Sequence, residues 1–134
     1  MMRIALGVLA VLMTMAVVVQ YNDPDGPLWM FYYGVPAVWA ATAALRPQAL
    51  ASPVSRILLV LSTVAALLLC AFYWPPVSGW WRQDIWSMEI TDPSGAALAE
   101  QAREGMGIMI ATGVLIAVLA ISFLRFSERK QSSR

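Results

Sequence analysis

The chain has 134 residues, 60% of them apolar and 13% charged, with a formal net charge of +1. That length holds one domain, and a soluble domain carries roughly half apolar and a quarter charged residues, so the composition argues against a soluble globular or disordered chain. The near-neutral balance offers no basic footprint for nucleic acid.

Four charge-free apolar runs follow, at about 4–20, 28–45, 57–74 and 106–124. A bilayer span needs about 20 mostly apolar residues, and backbone groups in lipid must be satisfied internally, so each run is predicted to be a helix. The first run ends in Val18-Val19-Gln20-Tyr21 with no small-x-small cleavage site and reads as a retained helix rather than a signal peptide. The link to the second run, Gln20 to Trp29, is rich in Asn, Asp, Pro and Gly and must reverse the chain. Asp25 is positioned to cap the second helix with its carboxylate. Pro36 deletes one helical hydrogen bond and predicts a kink or local break in the second span. Cys70, near the end of the third span, reads as a buried, inert thiol with nothing basic beside it.

The stretch 75–105 reads as a loop on one side of the membrane, carrying Trp80, Trp81 and Trp86. Within it Asp92-Pro93 looks like a helix start. A helix from Pro93 could run unbroken into the fourth span, although Gly95, Gly105 and Gly107 weigh against it. The fourth span pairs Gly107 with Ala111 and Gly113 with Ala117, a spacing that lets helices approach closely. A short basic tail, 125–134, ends the chain.

Arg3, Arg46, Arg56, Arg125, Arg129, Lys130 and Arg134 fall on one side of these spans, and Arg82 and Arg103 on the other. The positive-inside rule then makes both termini and the 46–56 loop cytoplasmic. The expected fold is an all-α, integral membrane four-helix bundle forming a single domain, in the inner (plasma) membrane if the source is bacterial. Tyr21, Trp29, Phe72, Tyr73 and Trp74 gather at the outer span ends, as an interfacial aromatic belt would.

Chemistry-bearing residues concentrate in two outer segments. The first holds Gln20, Asn22, Asp23 and Asp25, followed by Trp29 and Tyr33; the second holds Glu100, Arg103 and Glu104 on one helical face. A bond from Arg103 to Asp23 or Asp25 would tie the fourth span to the first hairpin. There is no histidine and a single cysteine, which removes the commonest metal ligand, the commonest general base, any Ser-His-Asp triad and an internal disulfide. No cofactor and no resident metal are implied.

At these same segments the chain resembles the transmembrane protein 220 family of small four-helix membrane proteins. The resemblance rests on Asn22-Asp23-Pro24-Asp25 with Trp29, Tyr33 and Pro36 at matching spacings, and on Glu100, Arg103, Glu104 and Gly107 ahead of the last helix. It implies the four-helix membrane fold and singles out these residues; it implies no particular activity.

Three functions stay open. In the first, the polar cluster clamps the bundle or binds a lipid headgroup, an ion or a membrane-protein partner, and a homo-oligomer is compatible with it. In the second, a small enzyme acts on a lipid or isoprenoid with Asp23 and Glu104 as acid and base. In the third, Asn22, Asp23, Asp25 and Glu104 form a calcium-type oxygen site. The lack of a nucleophile–base pair favours the first. A channel or transporter is disfavoured, because no charge lies deep in a span.

Overall fold

A computed structural model describes residues 1–74 and 93–132. Its four helices are α1 (Met2–Val19), α2 (Gly26–Leu45), α3 (Pro53–Phe72) and α4 (Pro93–Ser132). All four carry stretches long and apolar enough to cross a membrane. The chain is thus a multi-pass membrane protein, and among the described residues its regular structure is all helical. At 1.5 Å per residue, a 20-residue helix such as α2 or α3 spans about 30 Å, the hydrocarbon thickness.

Helices α1 and α2 form an antiparallel hairpin. Its turn is one 3₁₀ turn, Gln20–Asn22, followed by extended backbone at Asp23. The Asp23 amide donates to the Gln20 carbonyl at 3.2 Å and the Gly26 amide to the Asp23 carbonyl at 2.9 Å. Gly26 is needed here for closeness, since a Cβ at this position would collide with the Gln20 carbonyl. At the opposite end, Ser52 caps α3 by accepting from the Ser55 amide at 3.1 Å, and Pro53 opens that helix with no donor to lose.

The helices pack in the order α1, α2, α4, α3. The backbones of α1 and α2, α2 and α4, and α4 and α3 approach each other closely, whereas α2 and α3 have little direct backbone contact. Burial follows from this order. On α1 a single stripe, Leu6, Ala10 and Met13, turns inward; on α3 it is Leu59 and Thr63. The central helices bury much more: Trp29, Tyr33, Pro36, Ala37, Ala40 and Ala43 on α2, and Ala102, Ile108, Ala111, Leu115 and Val118 on α4. Small residues at the α2 contacts let neighbouring backbones come close, which is what drives helix association where lipid offers no hydrophobic gain.

Polar atoms within the spans are satisfied locally. Thr14, Thr42, Ser62, Thr63 and Ser122 each donate to the carbonyl four residues earlier, at 2.7–2.8 Å. Among the described residues, bonds between helices include Trp39 Nε1 to Ser62 Oγ and Thr112 Oγ1 to the Ala66 carbonyl, both 3.2 Å. The Arg125 guanidinium also reaches the Ala43 carbonyl, at 3.5 Å, near the end of α2. Among the described residues, no buried side-chain nitrogen or oxygen lacks a partner.

Several sequence expectations are revised. Helix α2 continues through the buried Pro36 without a local break. Helix α4 starts at Pro93 and passes through Gly95, Gly105 and Gly107 without interruption, so 93–105 is helical rather than loop. The apolar face of its central turns packs against α2 and α3, which outweighs the weak helix preference of glycine. Of the two small-residue pairs, Gly107 meets a neighbour and Gly113 does not: a Cβ there would find nothing within 4 Å. Cys70 is half-buried rather than buried. Trp80, Trp81, Trp86 and the Asp92 cap lie outside the described residues.

Ala40 is fully buried on α2 and Val38, two residues away, is exposed. Ala40→Leu should destabilise the protein by about 1–3 kcal/mol through overpacking, and Val38→Leu should leave it unchanged. Thermal unfolding of both variants in the same detergent checks this.

Candidate functional site

At the end of the bundle that carries the α1–α2 turn, a cavity of about 340 Å³ is lined by Gln20, Asp23, Pro24, Asp25, Trp29, Tyr33, Glu100, Arg103 and Glu104. Three pieces of chain build it. The turn supplies Gln20, Asp23 and Asp25; the first two turns of α2 supply Trp29 and Tyr33 as a floor; α4 supplies Glu100, Arg103 and Glu104 from successive turns of one face. Eight of the nine residues singled out from sequence therefore face the same space. Asn22 is exposed and not part of the lining.

The floor is held by specific contacts. Asp25 occupies the N-cap position of α2, but its carboxylate does not cap the helix. Instead it accepts from Trp29 Nε1 at 2.6 Å, one turn along, a short charge-assisted bond. The indole competes successfully because Trp29 is 5% exposed and its N–H must find an acceptor. Trp29 is consequently part of the bundle interior and not of an interfacial belt. Its ring stacks on Tyr33 with centroids 6.0 Å apart, and it meets Tyr32 and Tyr73 edge-on at 5.6 and 5.9 Å.

Tyr33 is held from the other side by α4. Its hydroxyl lies where a Cβ on Gly107 would stand, so only a glycine admits the ring at this depth. Tyr73, the residue that ends α3, completes the aromatic group. Burial, together with the Tyr32 phenol and the nearby charges of Glu104 and Asp25, pushes its hydroxyl above the usual tyrosine range. Tyr32 did not stand out in the sequence, and Tyr73 did so only as one of the aromatic residues at the outer span ends. The signal that could have found them is their placement: Tyr32 precedes Tyr33, and Tyr73 follows the last apolar turn of α3.

The electrostatics are net acidic. Asp23, Asp25, Glu100 and Glu104 face one guanidinium, that of Arg103, and Glu104 lies within electrostatic reach of both Glu100 and Asp25. Such an arrangement attracts cationic groups and can accept several hydrogen bonds. Among the described residues no group of three or more His, Cys, Asp and Glu is placed to hold a metal ion.

The family model described as "Transmembrane family 220, helix" matches residues 12–120, and the chain belongs to this family. The match takes in both the turn segment and the Glu100–Gly107 segment. No curated protein and no solved structure matches the chain.

Because the Tyr33 ring is rigid and buried, Gly107→Ala should cost about 1–3 kcal/mol of stability. Adding Tyr33→Phe, which removes the hydroxyl that collides, should recover most of the loss. Unfolding midpoints of the two single variants and the double variant measure this coupling.

Proposed function

We propose that this member of transmembrane family 220 turns its acidic cavity to the outer surface of the membrane and holds there the polar headgroup of a lipid. The observation that carries this reading is the cavity itself. The polar side chains from three chain segments leave about 340 Å³ between them, where a purely structural clamp would close on itself. That volume is at the lower end of ligand-sized pockets, about 300–1,000 Å³. Its height suits a headgroup, because the turn that forms it joins two helices of 18 and 20 residues and so lies at the edge of the hydrocarbon layer.

The orientation is supported by the charges. At the end opposite the cavity, Arg46 follows α2, Arg56 lies in the first turn of α3, Arg3 lies at that end of α1, and Arg125 lies toward that end of α4. Positive residues stay on the cytoplasmic side, so the cavity faces outward and both termini face inward. In a Cys70→Ala background, a membrane-impermeant maleimide added to intact cells should label Tyr21→Cys and leave Gln48→Cys unlabelled until the cells are opened. Both sites are exposed on the protein; the reverse pattern would invert the topology.

Native mass spectrometry of the protein from lipid nanodiscs, wild type beside an Asp23→Asn, Glu104→Gln double variant, tests the binding reading. A lipid carried by the wild type and lost in the folded double variant is the expected result. No bound species in either, with the variant only less stable, would make the cluster a clamp. A bound lipid whose mass changes on incubation would replace binding by turnover, with Asp23 and Glu104 as the acid–base pair.

A further inference from the structure

One helical turn deeper than the acidic cavity, α2 and α3 flank α4 without closing on each other. Between them runs a groove of about 260 Å³ whose lining includes Val35, Leu61, Ala65, Leu69, Ile108 and Leu115. It is framed at both ends. Toward the cavity, the Tyr32 and Tyr73 rings meet at 6.4 Å across the gap between α2 and α3; toward the other end, Trp39 bonds Ser62 across the same gap. Of the three hydroxyl-bearing residues that line the groove, Ser62 donates to the Leu58 carbonyl, Thr112 donates to the Ala66 carbonyl and Tyr32 pairs with Tyr73. A polar guest would find little to bond with, and the groove opens sideways between two membrane-spanning helices. Those facts call for a hydrocarbon chain.

Beyond the Tyr32–Tyr73 pair the groove is followed by the acidic end. A second recess, of about 410 Å³ and lined by Phe72, Tyr73, Gln101 and Glu104, stands one turn above Leu69 and Ile108, and Glu104 lines both this recess and the main cavity. An amphiphile with its tail in the groove and its head in the cavity would pass the Tyr32–Tyr73 pair. The head is selected by charge: four carboxylates suit an ammonium, and Arg103 among them suits a phosphate.

We infer that groove and cavity together hold one phospholipid whose head carries an ammonium beside its phosphate, with an acyl chain lying between α2 and α3. This rests on the headgroup reading above and adds the tail site and the head chemistry. The competing occupant of the groove is a second copy of the chain, which would leave no lipid there.

The test is native mass spectrometry of the full chain released from nanodiscs of equal phosphatidylethanolamine and phosphatidylglycerol with matched acyl chains. The wild type should retain one phosphatidylethanolamine at least threefold in preference to phosphatidylglycerol. Ala65→Trp fills the groove from an exposed position and should lower retention of both lipids at least threefold. Leu61→Trp, also exposed, is a second block should the first fold poorly. Asp23→Asn with Glu100→Gln should abolish the preference while a lipid is still retained. If both groove variants fold and keep phosphatidylethanolamine at the wild-type level, the tail site is wrong and the headgroup reading survives. If the wild type shows no head preference but the groove variants shed lipid, the headgroup reading fails instead. A stable lipid-free dimer overturns the inference in favour of the second copy.

Discussion

The contact between α2 and α4 is the constraint on which the rest of the molecule depends. Each outer helix leans chiefly on one central helix, α1 on α2 and α3 on α4, so the two hairpin halves are joined mainly through this seam. The seam in turn depends on fit rather than on bond strength. In lipid, apolar surface gains nothing by leaving the solvent, and close packing of small residues takes over. The buried alanines of α2 and Gly107 of α4 supply that closeness, and Tyr33 is the large side chain that uses it. Loosening this one contact would separate the acidic residues of the turn from those of α4, and the cavity between them would lose its shape.

The four apolar helices were legible in the sequence because charge-free runs of this length have few alternatives, and the reversing segment was legible from its Asn, Asp, Pro and Gly content. Their packing order was not. Hydropathy sets apart only α2, at 1.3 against 2.3–2.5 for the other spans, and it does not say which neighbours a helix takes; that is decided by where small residues meet across helices. Trp29 illustrates the same limit. An aromatic near a span end resembles an interfacial anchor, yet Asp25, four residues earlier, gives its N–H an acceptor inside the bundle and the ring turns inward. The Tyr33–Gly107 contact joins residues distant in the chain, and nothing local announces it. The helix through Gly105 and Gly107 was underrated for a related reason: the intrinsic cost of glycine is small beside the packing of a long helix against two neighbours.

Among the candidate residues, those on a common helical face were the easiest to group, since the spacing of Glu100, Arg103 and Glu104 follows from helix geometry alone. The turn residues were harder, because a turn can be built from acids and amides for purely local reasons. Here the local reasons account for part of the pattern: Gly26 is required by the close approach of the Gln20 carbonyl, and Asp25 is engaged by an indole. Asp23, by contrast, holds the turn through its backbone while its side chain lines the cavity.

Helix α4 has a consequence beyond packing. Its 40 residues make a rod about 60 Å long at 1.5 Å per residue, roughly twice the thickness of the hydrocarbon layer. It runs without interruption from the residues that line the acidic cavity to the basic segment at the far membrane surface. Such a rod couples the two sides of the bilayer mechanically: a tilt or axial shift at the cavity is at once a movement of the same backbone on the other side.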